Sequence, residues 1–124
     1  MQLVPHLLLR TETLGASETA VQLRDAGYLV TKVASDAELI GLVGVSQIDG
    51  IVIDGDVPAL VAITCARKLH ETILGAPPML IITRSPEVVR RAAKTPVLHP
   101  LETTAELVTS IDLMLAMHDL AATM

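Results

Sequence analysis

The sequence contains no phenylalanine, no tryptophan and a single tyrosine, Tyr28. Without aromatic rings there is no platform on which single-stranded nucleic acid could stack. The core must also be built from Leu, Ile, Val, Ala and Met. Cysteine is nearly missing as well. Cys65 stands alone, which excludes an intramolecular disulfide framework and a thiolate zinc cluster. Placed in mid-helix, it reads as a small core residue. Positive charge is scarce: nine Lys and Arg face fourteen Asp and Glu, for a net charge of -5. A nonspecific nucleic-acid surface needs clustered cations, so no direct nucleic-acid contact is expected. No apolar run is long enough to span a membrane, and no basic stretch precedes an apolar one at the N-terminus. The expectation is a soluble, cytoplasmic protein without a membrane contact.

What is present is aliphatic. Hydrophobic residues make up 51% of the 124 positions, enough for one domain over 1–124 with a substantial core. Short β-branched or leucine-rich runs alternate with helical patterns. His6–Arg10 reads as a first strand, Tyr28–Val33 as a second and Ile51–Ile53 as a third. Met79–Thr83 and Pro96–His99 follow as the fourth and fifth. Between them, Ala16, Ala20 and Leu23 share one helical face closed by Gly27. Ser35-x-x-Glu38 forms a capping box before Leu39, Ile40 and Val43. Ala62, Ala66, Leu69 and Ile73 line a third helix ended by Gly75. Ser85-Pro86-Glu87 is an N-cap followed by proline at the first helical position. Thr103-x-x-Glu106 is a second capping box, opening a last helix with Leu107, Ile111, Met114 and His118 inward. Five alternations with room for right-handed crossovers predict a doubly wound, three-layer α/β domain with a parallel sheet.

One stretch stands out for chemistry. Ile51–Ile53 ends in Asp54-Gly55-Asp56-Val57-Pro58, which carries carboxylates into the loop at a strand's carboxyl end, where open α/β sheets bind ligands. Aspartate and glycine also simply terminate strands, so this position alone leaves both readings open.

The pattern resembles the receiver domains of two-component response regulators over nearly the whole chain. In that family an Asp at the end of the third strand is phosphorylated and a Pro follows four residues later, as in Asp54 and Pro58. A Ser or Thr ends the fourth strand, as Thr83 does. A Lys-Pro ends the fifth, matched here by His99-Pro100-Leu101. Leu23-Arg24-Asp25-Ala26-Gly27-Tyr28 resembles the family's passage from first helix to second strand. The resemblance implies the flavodoxin-like (βα)5 fold with a five-stranded parallel sheet, and a signalling module rather than an enzyme.

The departures are as specific. The family's acidic pair falls near Arg10-Thr11, where only Glu12 supplies a carboxylate. The lysine is His99, the aromatic switch position is Pro96, and the segment from Thr83 to His99 is short. The expectation is therefore an atypical receiver, or pseudo-receiver, acting mainly through protein–protein contact with Asp54 at the phosphoacceptor position. The alternative is a receiver that takes phosphate at Asp54 with Mg. A small flavodoxin-like enzyme or nucleotide binder is a weaker alternative, since no G-x-G-x-x-G or P-loop occurs. The resemblance implies Asp54, Asp56 (through its backbone carbonyl) and Glu12 as Mg ligands, and Thr83 and His99 as contacts to phosphoryl oxygens. Against each stands a plainer role. Asp54 would be held by Arg10 or by backbone donors, Asp56 would serve a helix N-terminus, Thr83 would cap a turn, and His99 would merely end its strand. The resemblance also implies a cis His99–Pro100 bond and a sensor kinase or output domain as partner; an output domain after Met124 is compatible with it. Leu113, Met117, Leu120 and Met124 form a second apolar stripe on the last helix, which predicts a homodimer through that helix.

Overall fold

The computed structural model describes residues 4–12, 15, 17–73, 75–94 and 98–123. Ala16, Pro96 and Met124, to which the sequence assigns roles, lie outside the described residues. The elements alternate as β1 (His6–Arg10), α1 (Glu18–Asp25), β2 (Leu29–Val33), α2 (Asp36–Val45), β3 (Gly50–Ile53) and α3 (Ala59–Thr72). They continue with β4 (Met79–Ile82), α4 (Pro86–Ala93), β5 (Leu98–Leu101) and α5 (Leu107–Thr123). All strand pairs are parallel, in the order β2-β1-β3-β4-β5. This is the predicted flavodoxin-like (βα)5 sandwich.

The side-chain period of two divides β1 between two cores. Leu7 and Leu9 join Ala20, Leu23, Leu107, Ile111 and Met114 beneath α1 and α5. Leu8 joins Leu39, Ala62, Cys65, Leu69 and Val88 beneath α2, α3 and α4. The central strands β3 and β4 are buried along their whole length, as expected where helices cover both faces. Gly50 opens β3 under α5. A Cβ there would come within 3.0 Å of the Leu7 side chain and 3.1 Å of that of Leu115. The bare glycine lets α5 lie close to the sheet.

The helix boundaries follow their caps. Ser17, Ser35 and Ser85 each accept a backbone N–H three residues on, from Ala20, Glu38 and Val88. Glu38 reaches back past the cap to accept the N–H of Ala34, the residue before it. Gly27 turns α1 into β2 at φ 99, a conformation favourable only to glycine. The second capping box is not formed. Thr103 makes no side-chain cap bond, because Thr104–Glu106 wind as a 3-10 turn ahead of the α-helix.

The fifth strand departs most from the sequence reading. It ends two residues later than expected, running through Pro100 to Leu101. The Leu101 carbonyl accepts the Thr83 N–H. By alternation the Pro100 nitrogen then faces the open edge of the sheet, where a missing donor costs nothing. No peptide bond among the described residues is cis, so His99–Pro100 is trans, contrary to expectation. The extended trans backbone carries pairing on from Leu80 opposite His99 to Ile82 opposite Leu101. No helix of the described residues is long and apolar enough to cross a membrane.

Candidate functional site

The strand order sets the carboxyl ends of β1 and β3 side by side, with Arg10 opposite Ile53 and the Asp54 N–H donating to the Arg10 carbonyl. Helices pass to opposite faces at this point, which opens a crevice there. Glu12, Asp54 and Asp56 lie in the loops at this end of the sheet. Their partners differ from prediction.

Arg10 is the organising residue. It lies on the same face of β1 as Leu8, toward α2 and α3, and is 4% exposed. Its guanidinium bridges Glu12 at 3.1 Å and Asp36 at 3.2 Å, and also donates to the Thr11 carbonyl. A charge taken from water needs such pairing. Of the two expected holders of Asp54, Arg10 forms no salt bridge with it, and a backbone donor does the holding. Alternation points Arg10 under α2, whereas Asp54 follows the last residue of β3 and turns out into the loop.

Asp54 is half-buried. One oxygen accepts the Gly55 N–H at 2.8 Å and the Thr19 hydroxyl at 3.3 Å. Asp56 accepts the hydroxyl of buried Thr11 at 3.0 and 3.3 Å and the Glu12 N–H at 3.2 Å. Thr11 and Thr19 were missed by sequence reasoning. Thr11 stands at one of the two positions of the expected acidic pair, where a hydroxyl that donates replaces a carboxylate that accepts. That substitution was legible; Thr19 carried no local signal.

Thr83 follows β4, and its hydroxyl accepts the Ser85 N–H at 3.1 Å, the plainer of its two roles. It lines an open cleft of about 870 Å³ between the ends of β3, β4 and β5, with Asp56, Val57, Arg84 and Glu102. Asp54 is not among the residues lining that cleft. His99 does not reach it either. It faces the other side of the sheet, in a small pocket against α5 with Leu80, Leu113 and Met117. Burial there, and secondarily the neighbouring His118, hold its imidazole below the usual histidine range. The reason lies in the strand boundary. Because β5 runs on to Leu101, His99 sits within the strand, and Glu102 and Thr103 occupy the end assigned to it.

The residues nominated for Mg do not fit an assembled cation site. Glu12 is engaged by Arg10, Thr11 engages the Asp56 carboxylate but not the backbone carbonyl nominated as a ligand, and among the described residues no three His, Cys, Asp or Glu side chains converge as metal ligands. A buried guanidinium beside the crevice opposes a second positive charge. Cys65 lies under the same corner, close to Asp36. Burial first, then that carboxylate, push its thiol up to about 12, so it stays protonated.

No family model matches the sequence, and no curated protein matches it. Solved structures do match its shape. The signal receiver domain of an HD domain-containing protein from Pseudomonas fluorescens Pf-5 superposes with a TM-score of 0.76 at 13% identity, covering 99% of this chain and 95% of its own. The signal receiver domain of a LuxO repressor protein from Vibrio parahaemolyticus gives 0.73 at 17% identity, covering 98% and 97%. The chemotaxis response regulator CheY4 of Vibrio cholerae gives 0.69 at 18% identity, covering 90% and 98%. At such identities the likeness is one of fold, and the fold of this chain is that of the CheY-like receiver domains of response regulators.

Proposed function

We propose that the chain works as an atypical receiver in two-component signalling. In this reading it is a protein–protein interaction module, not an enzyme, and Asp54 keeps the phosphoacceptor position without the supporting pocket. The observation that carries this is Arg10. A buried guanidinium paired with Glu12 and Asp36, next to a Thr11 hydroxyl donated to Asp56, takes the place of the acidic pair that would draw a cation. Self-association as a homodimer through α5 belongs to the same reading, with a sensor kinase or an output protein as further partners. Leu113, Met117 and Leu120 are each more than half exposed on that one helix, whereas a helix in a lone domain normally exposes its polar face.

A second reading, phosphorylation at Asp54 with Mg, is favoured by the half-buried, accessible Asp54 carboxylate and by Arg84 at the neighbouring cleft, a cation available to a phosphoryl group. Incubation with a small phosphodonor and magnesium, followed by intact mass measurement, separates the two. The atypical reading expects no phosphoryl mass on the wild type. A gain that disappears in Asp54→Asn would establish the second reading and overturn the first.

A further inference from the structure

The few positive charges are not spread evenly. Six of the nine Lys and Arg fall within 67–94: Arg67, Lys68, Arg84, Arg90, Arg91 and Lys94. The same segment holds only two acids, Glu71 and Glu87, so it carries +4 in a chain of net -5. Residues 95–124 contain no Lys or Arg at all, and four acids, Glu102, Glu106, Asp112 and Asp119, for -4. The fold turns this asymmetry along the chain into two surfaces.

The positive surface is a groove of about 330 Å³ between α3 and α4. Ile63 and Ala66 form an apolar floor, and Arg67, His70, Arg91 and Lys94 stand around it, with Glu71 the one acid. Arg67, Lys68, Arg90 and Lys94 are exposed and form no salt bridge with the described residues; Arg91 pairs with Glu87. The negative surface is α5. Leu113, Met117 and Leu120 are 60%, 54% and 63% exposed. At 100° per residue, Asp112 and Asp119 flank this stripe on one side. The other strongly exposed large apolar residues, Val4, Val21, Leu29, Val45 and Leu60, lie singly on separate segments, which is ordinary for a soluble surface. Because α3 and α4 pack on one core and α5 on the other, groove and helix occupy opposite faces of the sheet.

We infer that α5 of one copy docks into the α3–α4 groove of a second copy, head to tail. This rests on the self-association through α5 proposed above and changes the surface that α5 meets. Charge decides the choice. Two α5 helices facing each other bring Asp112 and Asp119 of both copies into one interface, with no Lys or Arg on either helix to offset them. The groove supplies those cations together with an apolar floor for Leu113 or Met117. Like charges juxtaposed are costly, and complementary ones steer association and fix its register. A polyphosphate occupant fits less well, since the chain as a whole is negative and offers no ring to stack on a base. With the two surfaces on opposite faces, each contact leaves a groove and a helix open, so the association is heterologous and extends with concentration.

Sedimentation velocity over a concentration series tests this with four proteins. The wild type should grow in mass with concentration at about 0.1 M salt and much less at about 1 M, where screening shortens from about 10 Å to about 3 Å. A groove variant, Arg67→Glu with Lys94→Glu, and a helix variant, Asp112→Lys with Asp119→Lys, should each self-associate at least about tenfold more weakly. Mixing the two should restore association, because opposite charges then meet again. Asp119→Lys alone serves as a second helix variant, since Asp112 accepts the Tyr28 hydroxyl and its loss could disturb the fold. A groove variant that associates as well as the wild type would show α5 pairing with α5. That result overturns the head-to-tail contact while leaving the homodimer reading standing. A wild type that stays monomeric at every concentration sinks both. Binding of a single-stranded oligonucleotide that is lost in the groove variant would assign the groove to nucleic acid and overturn the inference.

Discussion

Arg10 shows how one residue can determine what a site does. A guanidinium that is 4% exposed survives only because Glu12 and Asp36 take its hydrogen bonds. Both carboxylates retain some contact with water, 46% and 21% exposed, which limits the cost of stranding them. Arg10→Met should therefore destabilise the fold by about 1–3 kcal/mol, the range for lost hydrogen bonds to charged groups. A shift of the urea midpoint without a change in slope is the measurement. The same variant frees Glu12 from its partner, so a divalent cation that leaves the wild-type midpoint unchanged is expected to raise that of Arg10→Met.

His99 gives a pH signature at the same scale. Its folded-state pKa lies below the ordinary 6.5, chiefly through burial and then through His118. The unfolded chain thus binds the proton more readily than the folded one. Above about pH 6.5 both states are neutral at this position and its contribution is level; as pH falls below 6.5 the unfolded state gains protons first and stability declines. Equilibrium unfolding at pH 7.5 and at mildly acidic pH should show that loss in the wild type, and a smaller one in His99→Gln.

At the scale of elements, local patterns placed the helices well. Serine caps, glycine exits and apolar spacing act within a few residues, so they could be read directly from the chain. The short helix α2 illustrates what such patterns leave out. Its sequence is apolar nearly all round, yet Leu39 is its one fully buried residue, while Val45 is 83% exposed. Leu39→Ala should cost about 2–5 kcal/mol as a cavity in the core. Val45→Ala should stay within about 0.5 kcal/mol. Thermal or urea unfolding of the pair tests the difference, with Ile40, Leu42 and Val43 packing at the edge of the same core in both variants. Periodicity could not separate the two positions, because both lie in a run of aliphatic side chains. Strand β5 was misplaced for a related reason. Two prolines near it suggested early boundaries, but an outer strand tolerates a proline whose nitrogen faces away from its neighbour.

For the whole molecule, length, aliphatic composition and five alternations of strand and helix predicted the doubly wound sheet, and the Asp54-to-Pro58 motif predicted its resemblance to receivers. The first follows from short-range information, namely side-chain period, capping chemistry and turn residues, and the second from the likeness of short motifs to those of a family. Pairing across the sheet is not short-range. Strand order brought Arg10 beside Asp54 but turned its side chain toward Asp36, and the register of β5 sent His99 to the face opposite Thr83. The sequence by itself determined the order and type of the elements, the carboxylates at the end of β3 and the separation of charge along the chain. Only the tertiary structure decided which carboxylates Arg10 would hold, on which side His99 would lie, and that the two charged segments would face outward from opposite sides of one sheet. Each of those outcomes depends on the direction of a side chain relative to a neighbour distant in sequence. One residue of register reverses that direction.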